Sequence, residues 1–410
     1  GRKKKKASLE AFYQYMESEQ KTYPRFVRYL ITLFPLLTIS ALLYAMVLNG
    51  SYVYVLICGT LSISSALLSV LFNISSFRDV NYLANTLHDY ERMFQMICQS
   101  EFVGDELQEL KRTLQQAPHA IRKLQHIMTG IQFRNDGIMF MFMNAFFLID
   151  FQCVNALVKW KKAYGSNIRQ WMDALGKLEA YVSLAQLTYA KDTMCWPQYS
   201  SQTTPHIEMH SLYHPLLVQD VAVANDFDAY SKTYIITGSN MSGKTTFLRT
   251  IGLNMVLFHA GAQVCATSFQ ANSMHVFTSM RIKDDVSEGI STFYAEILRI
   301  KSMIEESKRK EPMVVLIDEI FKGTNSADRI ICAQEVLKHL HLPWVISLVS
   351  THDFELCTLR FKEEENVENY HFEEHYEDGK VCFDYCIKKD RCTTTNAQAL
   401  MEMAGIQFEH

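Results

Sequence analysis

The stretch Lys232 to Phe258, KTYIITGSNMSGKTTFLRTIGLNMVLF, constrains the fold of this chain more than any other. A short β-branched run, Lys232 to Ile236, leads into Gly238-Ser-Asn-Met-Ser-Gly243-Lys244-Thr245, a full match to GxxxxGK[ST], and an apolar helical run follows. Strand, loop and helix in that order are the context that separates a phosphate-binding loop from a chance pattern. The glycines let backbone N–H groups turn towards phosphate, and the helix N-terminus adds positive potential. Gly238, Ser239, Asn240, Met241, Ser242, Gly243, Lys244, Thr245 and Thr246 are therefore expected to hold a nucleotide. Lys244 is expected to reach the β- and γ-phosphates, and Thr245 to hold Mg2+.

Three further segments add chemistry to that loop. Met313 to Ile317, MVVLI, is a short continuous apolar run, the pattern of a strand buried on both faces. It ends in Asp318-Glu319. An aspartate there is suited to Mg2+, while Glu319 is suited to polarising an attacking water. A third run, Trp344 to Val349, ends in Ser350-Thr351-His352-Asp353. Open α/β sheets gather ligands at the carboxyl ends of their strands, so His352 is expected to face the γ-phosphate. Asp284 to Glu296, DDVSEGISTFYAE, is a loop leading into a helix with an apolar face of Ile297, Ile300, Met303 and Ile304. Ser291 is expected to cap that helix and to present its N-terminal N–H groups to an anion.

GSNMSGKTT, DDVSEGISTFYAE, VVLIDEIFKGTNS and STHD, in that order, resemble the MutS family of ATPases. The resemblance covers about residues 198–406 and reaches more weakly into the helical middle. It implies an α/β fold: a P-loop ATPase domain of ABC/MutS type with a mainly parallel sheet, preceded by an α-helical core or lever domain. It implies ATP and Mg2+ as cofactors and a homodimer with composite sites, in which Ser291 touches nucleotide bound to the other protomer. Gly323-Thr324-Asn325-Ser326 matches the family's interface loop, and His214-Pro215 marks the entry to the ATPase domain. Asn225 would lie near the adenine, but the aromatic expected just before it is missing, with Ala222 and Val223 in its place. DNA is an implied partner. No counterpart of the family's mismatch-reading domain is legible here.

The N-terminal part reads differently. Tyr29 to Leu48 gives twenty uncharged, mostly apolar residues and Tyr52 to Phe72 gives twenty-one more, with Asn49-Gly50-Ser51 as a polar turn between them. About 20 apolar residues suffice to cross a bilayer core. Both segments are therefore expected to form a transmembrane helical hairpin, and the basic Arg2 to Lys6 and Arg78 place its two ends in the cytoplasm. The expected location is the inner face of the cytoplasmic membrane. The run Arg2 to Lys6 is more simply a membrane or topology signal than a nucleic-acid site. Ile138 to Ile149 is apolar but too short to span, and a buried core helix is expected there.

Between these parts, apolar residues recur at steps of three and four. Val80, Leu83, Leu87, Tyr90, Phe94 and Ile97 make one stripe, Ile121, Leu124, Ile127 and Ile131 another, and Trp171, Leu175, Leu178 and Val182 a third. A helical bundle follows from that spacing. The expected division is 1–78 for the basic N-terminus and membrane helices, 79–197 for the helical domain, and 198–410 for the ATPase domain. The formal net charge of −4 names no polyanionic partner. Ten cysteines without a CxxC pair, with Cys382, Cys386 and Cys392 at no recognised zinc spacing, read as free thiols in reducing surroundings. Two other functions stay open at this point: an ABC-type transport ATPase, although no LSGGQ-like signature is present, and a membrane tether that is switched by nucleotide without hydrolysing it.

Overall fold

The computed structural model describes residues 13, 25–64, 90–132, 137–218, 220–280, 292–322, 324–361, 367–377 and 380–391. Two compact units make up the chain, Gly1–Ser183 and Leu184–His410. Arg2 to Lys6, Arg78, Val80, Leu83, Leu87, Asp284 to Ser291, Gly323 and Cys392 lie outside the described residues.

The first unit is helical. Its helices are α1 (Arg25–Val47), α2 (Asp105–Leu114), α3 (Ala117–Gln132), α4 (Gly137–Phe147), α5 (Ile149–Tyr164) and α6 (Asn167–Ala190), with further helical stretches over residues 53–64 and 90–99. Helix α2 has Asp105 and Glu106 in its first turn and Lys111 and Arg112 in its last, an order that opposes the helix dipole at both ends. Pro118 stands in the first turn of α3, where a missing N–H costs nothing. The stripes read from the sequence meet in one core of Phe94, Leu114, Ile121, Leu124, Trp160, Trp171, Leu175 and Leu178. The indole N–H of Trp160 donates to the Ala120 carbonyl at 2.6 Å, so this buried polar group is paired. Val182 departs from its stripe and is exposed.

The apolar segments differ from expectation. Among the described residues no helix is long and apolar enough to cross a membrane, so the transmembrane hairpin expected over 29–72 has no support here. The turn itself is present, with Asn49 at a φ of 52° and the Gly50 N–H on the Tyr44 carbonyl at 3.3 Å. Helix α1 packs against α4, the other apolar helix, and buries Thr38 and Ala45. The run Ile138 to Ile149 is two helices rather than one, because Leu148 takes a left-handed φ of 47° between α4 and α5. Nor is α4 buried all round: Ile138 is 84% exposed while Asn144 is fully buried.

The second unit is α/β. A six-stranded sheet runs in the order β12 (Lys388–Lys389), β9 (Glu368–His371), β4 (Thr233–Thr237), β8 (Val345–Ser350), β7 (Met313–Ile317), β6 (His275–Ser279). Every pairing in it is parallel except β12 with β9. Helices α7 (Lys244–His259), α8 (Thr292–Ser307) and α9 (Ser326–Leu340) accompany it. A second sheet has the order β1 (Gln198–Tyr199), β5 (Ser268–Ala271), β2 (His206–Leu212), β3 (Asn225–Tyr230), and β10 (Glu374–Glu377) pairs with β11 (Lys380–Phe383) as a hairpin.

Strands β4, β7 and β8 are buried along their whole length. Their side chains alternate between two cores, as the period of two requires. Tyr234, Ile236, Val314, Leu316, Ile346 and Leu348 pack with Phe247, Ile251 and Met255 of α7 and with the second sheet. Ile235, Val315, Ile317, Val345 and Val349 pack on the other side with Ile300 and Met303 of α8 and with Ala333, Leu337 and Leu340 of α9. Layers on both faces explain why these strands read as unbroken apolar runs. Leu316→Ala is expected to lower stability by about 2–5 kcal/mol, read as a fall in the urea midpoint. An unchanged midpoint would show that Leu316 is not clamped between sheet and helix.

Candidate functional site

The parallel order brings the carboxyl ends of β4, β7 and β8 side by side, and the loop after each supplies one part of the site. After β4 comes the phosphate loop. Gly238 and Gly243 have φ of 142° and 114°, both in the region that favours glycine. A Cβ at Gly238 would stand 2.5 Å from the Phe372 carbonyl oxygen, so space as well as backbone shape requires glycine there. Met241 takes a φ of 72° at the exposed tip of the loop. The Lys244 ammonium is buried and donates to the carbonyls of Gly238 and Ser239 at 2.8 and 2.7 Å. Those carbonyls hold the lysine across the mouth of the loop. Ser242 is buried with a hydroxyl that finds no partner among the described residues.

After β7, Asp318 accepts from the Thr245 hydroxyl at 2.8 and 3.0 Å and from the Ser350 hydroxyl at 2.7 Å. Ser350 in turn accepts from the Glu319 N–H at 2.9 Å, so one hydroxyl ties the ends of β7 and β8 together. Glu319 takes a φ of 52°, a turn that carries its side chain away from that of Asp318. After β8, His352 sets Nε2 3.0 Å from the Asn240 Oδ1 and 3.4 Å from the Glu319 Oε1. Both neighbours are acceptors, which places the proton on Nε2.

Burial lowers the His352 pKa, and the charge of Lys244 lowers it further, against an opposite pull from Glu319. Burial pushes the Glu319 carboxyl up, but Lys322, in ion-pair contact with it, and His352 hold it below the usual carboxylate range. A neutral imidazole beside an ionised carboxylate is the resulting state near neutral pH.

Helices α8 and α9 are wired into the same loops. Glu296 of α8 is buried and accepts from the Phe321 N–H at 2.9 Å, with burial raising its pKa. Arg329 of α9 grips Asp353 through two bonds of 2.6 Å. Asn325 caps α9 by accepting from the Asp328 N–H. Ser291 lies outside the described residues, one position before α8 begins.

A cavity of about 400 Å3 adjoins the phosphate loop, lined by His214, Val221, Val223, Thr246, Phe247 and Tyr385 among others. Asn225 also lines it, and its side chain is engaged: Nδ2 donates to the Tyr385 carbonyl at 3.0 Å and Oδ1 accepts from the Ile387 N–H at 2.7 Å. Tyr385 therefore supplies an aromatic wall that the sequence near Asn225 lacks. A second residue missed from sequence is Glu374, buried on β10, whose carboxylate accepts from the Ser239 hydroxyl at 2.6 Å. Both follow β9, far along the chain from the loop they touch, and no local motif announces them.

Loop, strand-end acids and cavity together define a P-loop nucleotide-binding domain on a parallel sheet. Residues 234–408 match the family model for MutS domain V. Three relatives are DNA mismatch repair proteins MutS. That of Thermus thermophilus is 27% identical over 244 residues, 59% of this chain and 29% of the relative. That of Listeria innocua is 28% identical over 264 residues, 63% and 30%, and that of Staphylococcus saprophyticus 29% over 220 residues, 52% and 24%. The second unit is thus related to MutS domain V, and the chain spans less than a third of the length of these curated relatives.

One titration tests the electrostatics of the site. His352 is expected to titrate below its ordinary value by NMR, and Glu319→Gln should move it lower still by removing the carboxylate that favours the imidazolium. A His352 titration unchanged by that substitution would contradict the Glu319 contact.

Proposed function

We propose that the second unit binds ATP with Mg2+ and hydrolyses it, and that two copies of the chain share each site. The observation that carries this reading is the pairing of Thr245 with Asp318 beside a loop already shaped around Lys244. Thr245 and Asp318 form an all-oxygen donor set, the kind Mg2+ takes. Lys244 exchanges its loop carbonyls for the β- and γ-phosphate oxygens. Glu319 orients the attacking water, and His352, anchored on Asn240, faces the γ-phosphate. Mg2+ held by Thr245 and Asp318 would offset the negative charge that develops on the phosphates. The base enters the cavity beside the loop and stacks on Tyr385, with Asn225 holding that segment in place. By resemblance to the family, Ser291 at the head of α8 meets nucleotide bound to the partner.

Glu296 and Arg329 give this reading its moving parts. Each ties a helix beyond the strands to a loop that touches nucleotide, so a change at the phosphates reaches α8 and α9 directly. The relatives are named as DNA mismatch repair proteins, and we propose DNA as the partner whose binding such a dimer switch governs. Transport and a nucleotide-switched tether remain the competing functions. A tether needs no water-orienting acid beside a neutral histidine.

Glu319→Gln is expected to keep ATP bound while turnover falls by about 100-fold or more, measured as phosphate release in single-turnover conditions. Normal turnover in that variant would remove Glu319 from the reaction. Lys244→Ala is expected to abolish binding of a fluorescent ATP analogue. Full binding would contradict the role given to the loop.

A second reading concerns location. Leu36, Leu43, Met46, Leu48 and Leu56 are 57–70% exposed on α1, the turn after it and the helical stretch that follows. Large exposed apolar side chains, when they gather into a patch, mark contact surfaces. We propose that they lie against a bilayer at the cytoplasmic side. The full chain is then expected to float with lipid vesicles after high-salt washing, whereas recovery entirely in the soluble fraction would exclude it.

A further inference from the structure

The β10–β11 hairpin has two unlike faces. Glu374 and Phe383 oppose each other on one, and Glu374 is buried against the phosphate loop through Ser239. His375, directly across from Cys382, belongs to the other face, and Glu377 follows His375 by two residues. His375 and Glu377 are exposed, Cys382 is half-buried, and its thiol is free. One donor atom from each of the three residues lies within 4.8 Å of the others.

We propose that this outer face is a binding site for a divalent transition metal of the Zn2+ class. Imidazole, thiolate and carboxylate are all zinc donors, at bond lengths of about 2.0–2.3 Å. Tetrahedral geometry then separates donor atoms by about 3.5 Å, which side-chain rotations on a fixed hairpin provide from the present spacing. The sulfur selects against Mg2+ and Ca2+, which take oxygen donors. Cys382 gives up its thiol proton to solvent on binding, and the ion takes the resulting thiolate.

Asp384 is next on that face, but Lys388 at 3.0 Å and the Cys386 N–H at 3.1 Å already engage its carboxylate. Three protein ligands therefore leave one tetrahedral position for water. The hairpin register creates this site. Read linearly, His375, Glu377 and Cys382 have no zinc spacing, and of the cysteines noted in the sequence Cys382 belongs to this group while Cys386 does not.

An ion here would pin together the two strands whose inner face meets the phosphate loop and whose continuation carries Tyr385. The site stands apart from Thr245 and Asp318 and does not depend on nucleotide hydrolysis.

The test is titration of the full, metal-stripped chain with Co2+ alone. We expect about one Co2+ per chain with a thiolate-to-cobalt charge-transfer band, and displacement of that band by Zn2+. Cys382→Ser should abolish the band, His375→Ala should weaken binding by about tenfold or more, and Cys386→Ser should leave it intact. Where a variant fails to fold, mass spectrometry of the unmodified chain reads the same site: Zn2+ should protect Cys382, but not Cys386, from alkylation. Absence of the band, its survival in Cys382→Ser, or equal alkylation with and without Zn2+ would overturn the proposal. Oxygen donors at Thr245 and Asp318 produce no sulfur band, so loss of this site and loss of the nucleotide site are told apart.

Discussion

The contact between the Thr245 hydroxyl and the Asp318 carboxylate is the one on which the site depends. It joins the first turn of α7 to the end of β7, two elements 73 residues apart in sequence. Strand β7 cannot slide in register without breaking it, because a shift of one residue would turn Asp318 to the opposite face. Ser350 then fastens β8 to the same carboxylate, so three parallel strands end on one oxygen cluster. The two apolar layers hold the sheet, and this polar knot fixes where its carboxyl edge lies.

Much of this was legible in sequence because the residues involved sit within a few positions of a strand end. GSNMSGKTT carries its own turn and helix start, and MVVLIDE carries strand and acid together. The hydrogen bonds of Asn240, Glu319 and His352 follow once β4, β7 and β8 are neighbours. Glu374 and Tyr385 were not legible. Glu374 reaches Ser239 of the loop across 135 residues and Tyr385 reaches Asn225 of β3 across 160, contacts set by the packing of β9 and the hairpin after it. No periodicity encodes such a contact. Ser291 shows a different gap, since its place rests on family resemblance alone.

The helical unit teaches a complementary point. Stripes at steps of three and four identified Phe94, Ile121, Leu124, Trp171 and Leu175 as core, and all are buried. Val182 continues the pattern in sequence but is exposed, so spacing alone overstates burial. Hydropathy likewise joins Ile138 to Ile149 into one run, whereas the left-handed backbone at Leu148 divides it. The apolar N-terminal segments are helical over 25–47 and 53–64 with a turn between, residues 65–72 lying outside the described residues, yet hydropathy does not reveal how much of their surface a neighbouring helix such as α4 takes up.

Sharing of each nucleotide between two chains is the claim most open to direct measurement. ATP turnover per chain should be followed across protein concentrations spanning monomer and dimer, with the association state recorded by sedimentation in the same buffer. A rate per chain that rises in step with the dimer fraction is the expected result. A rate that stays constant while the protein is monomeric would contradict it.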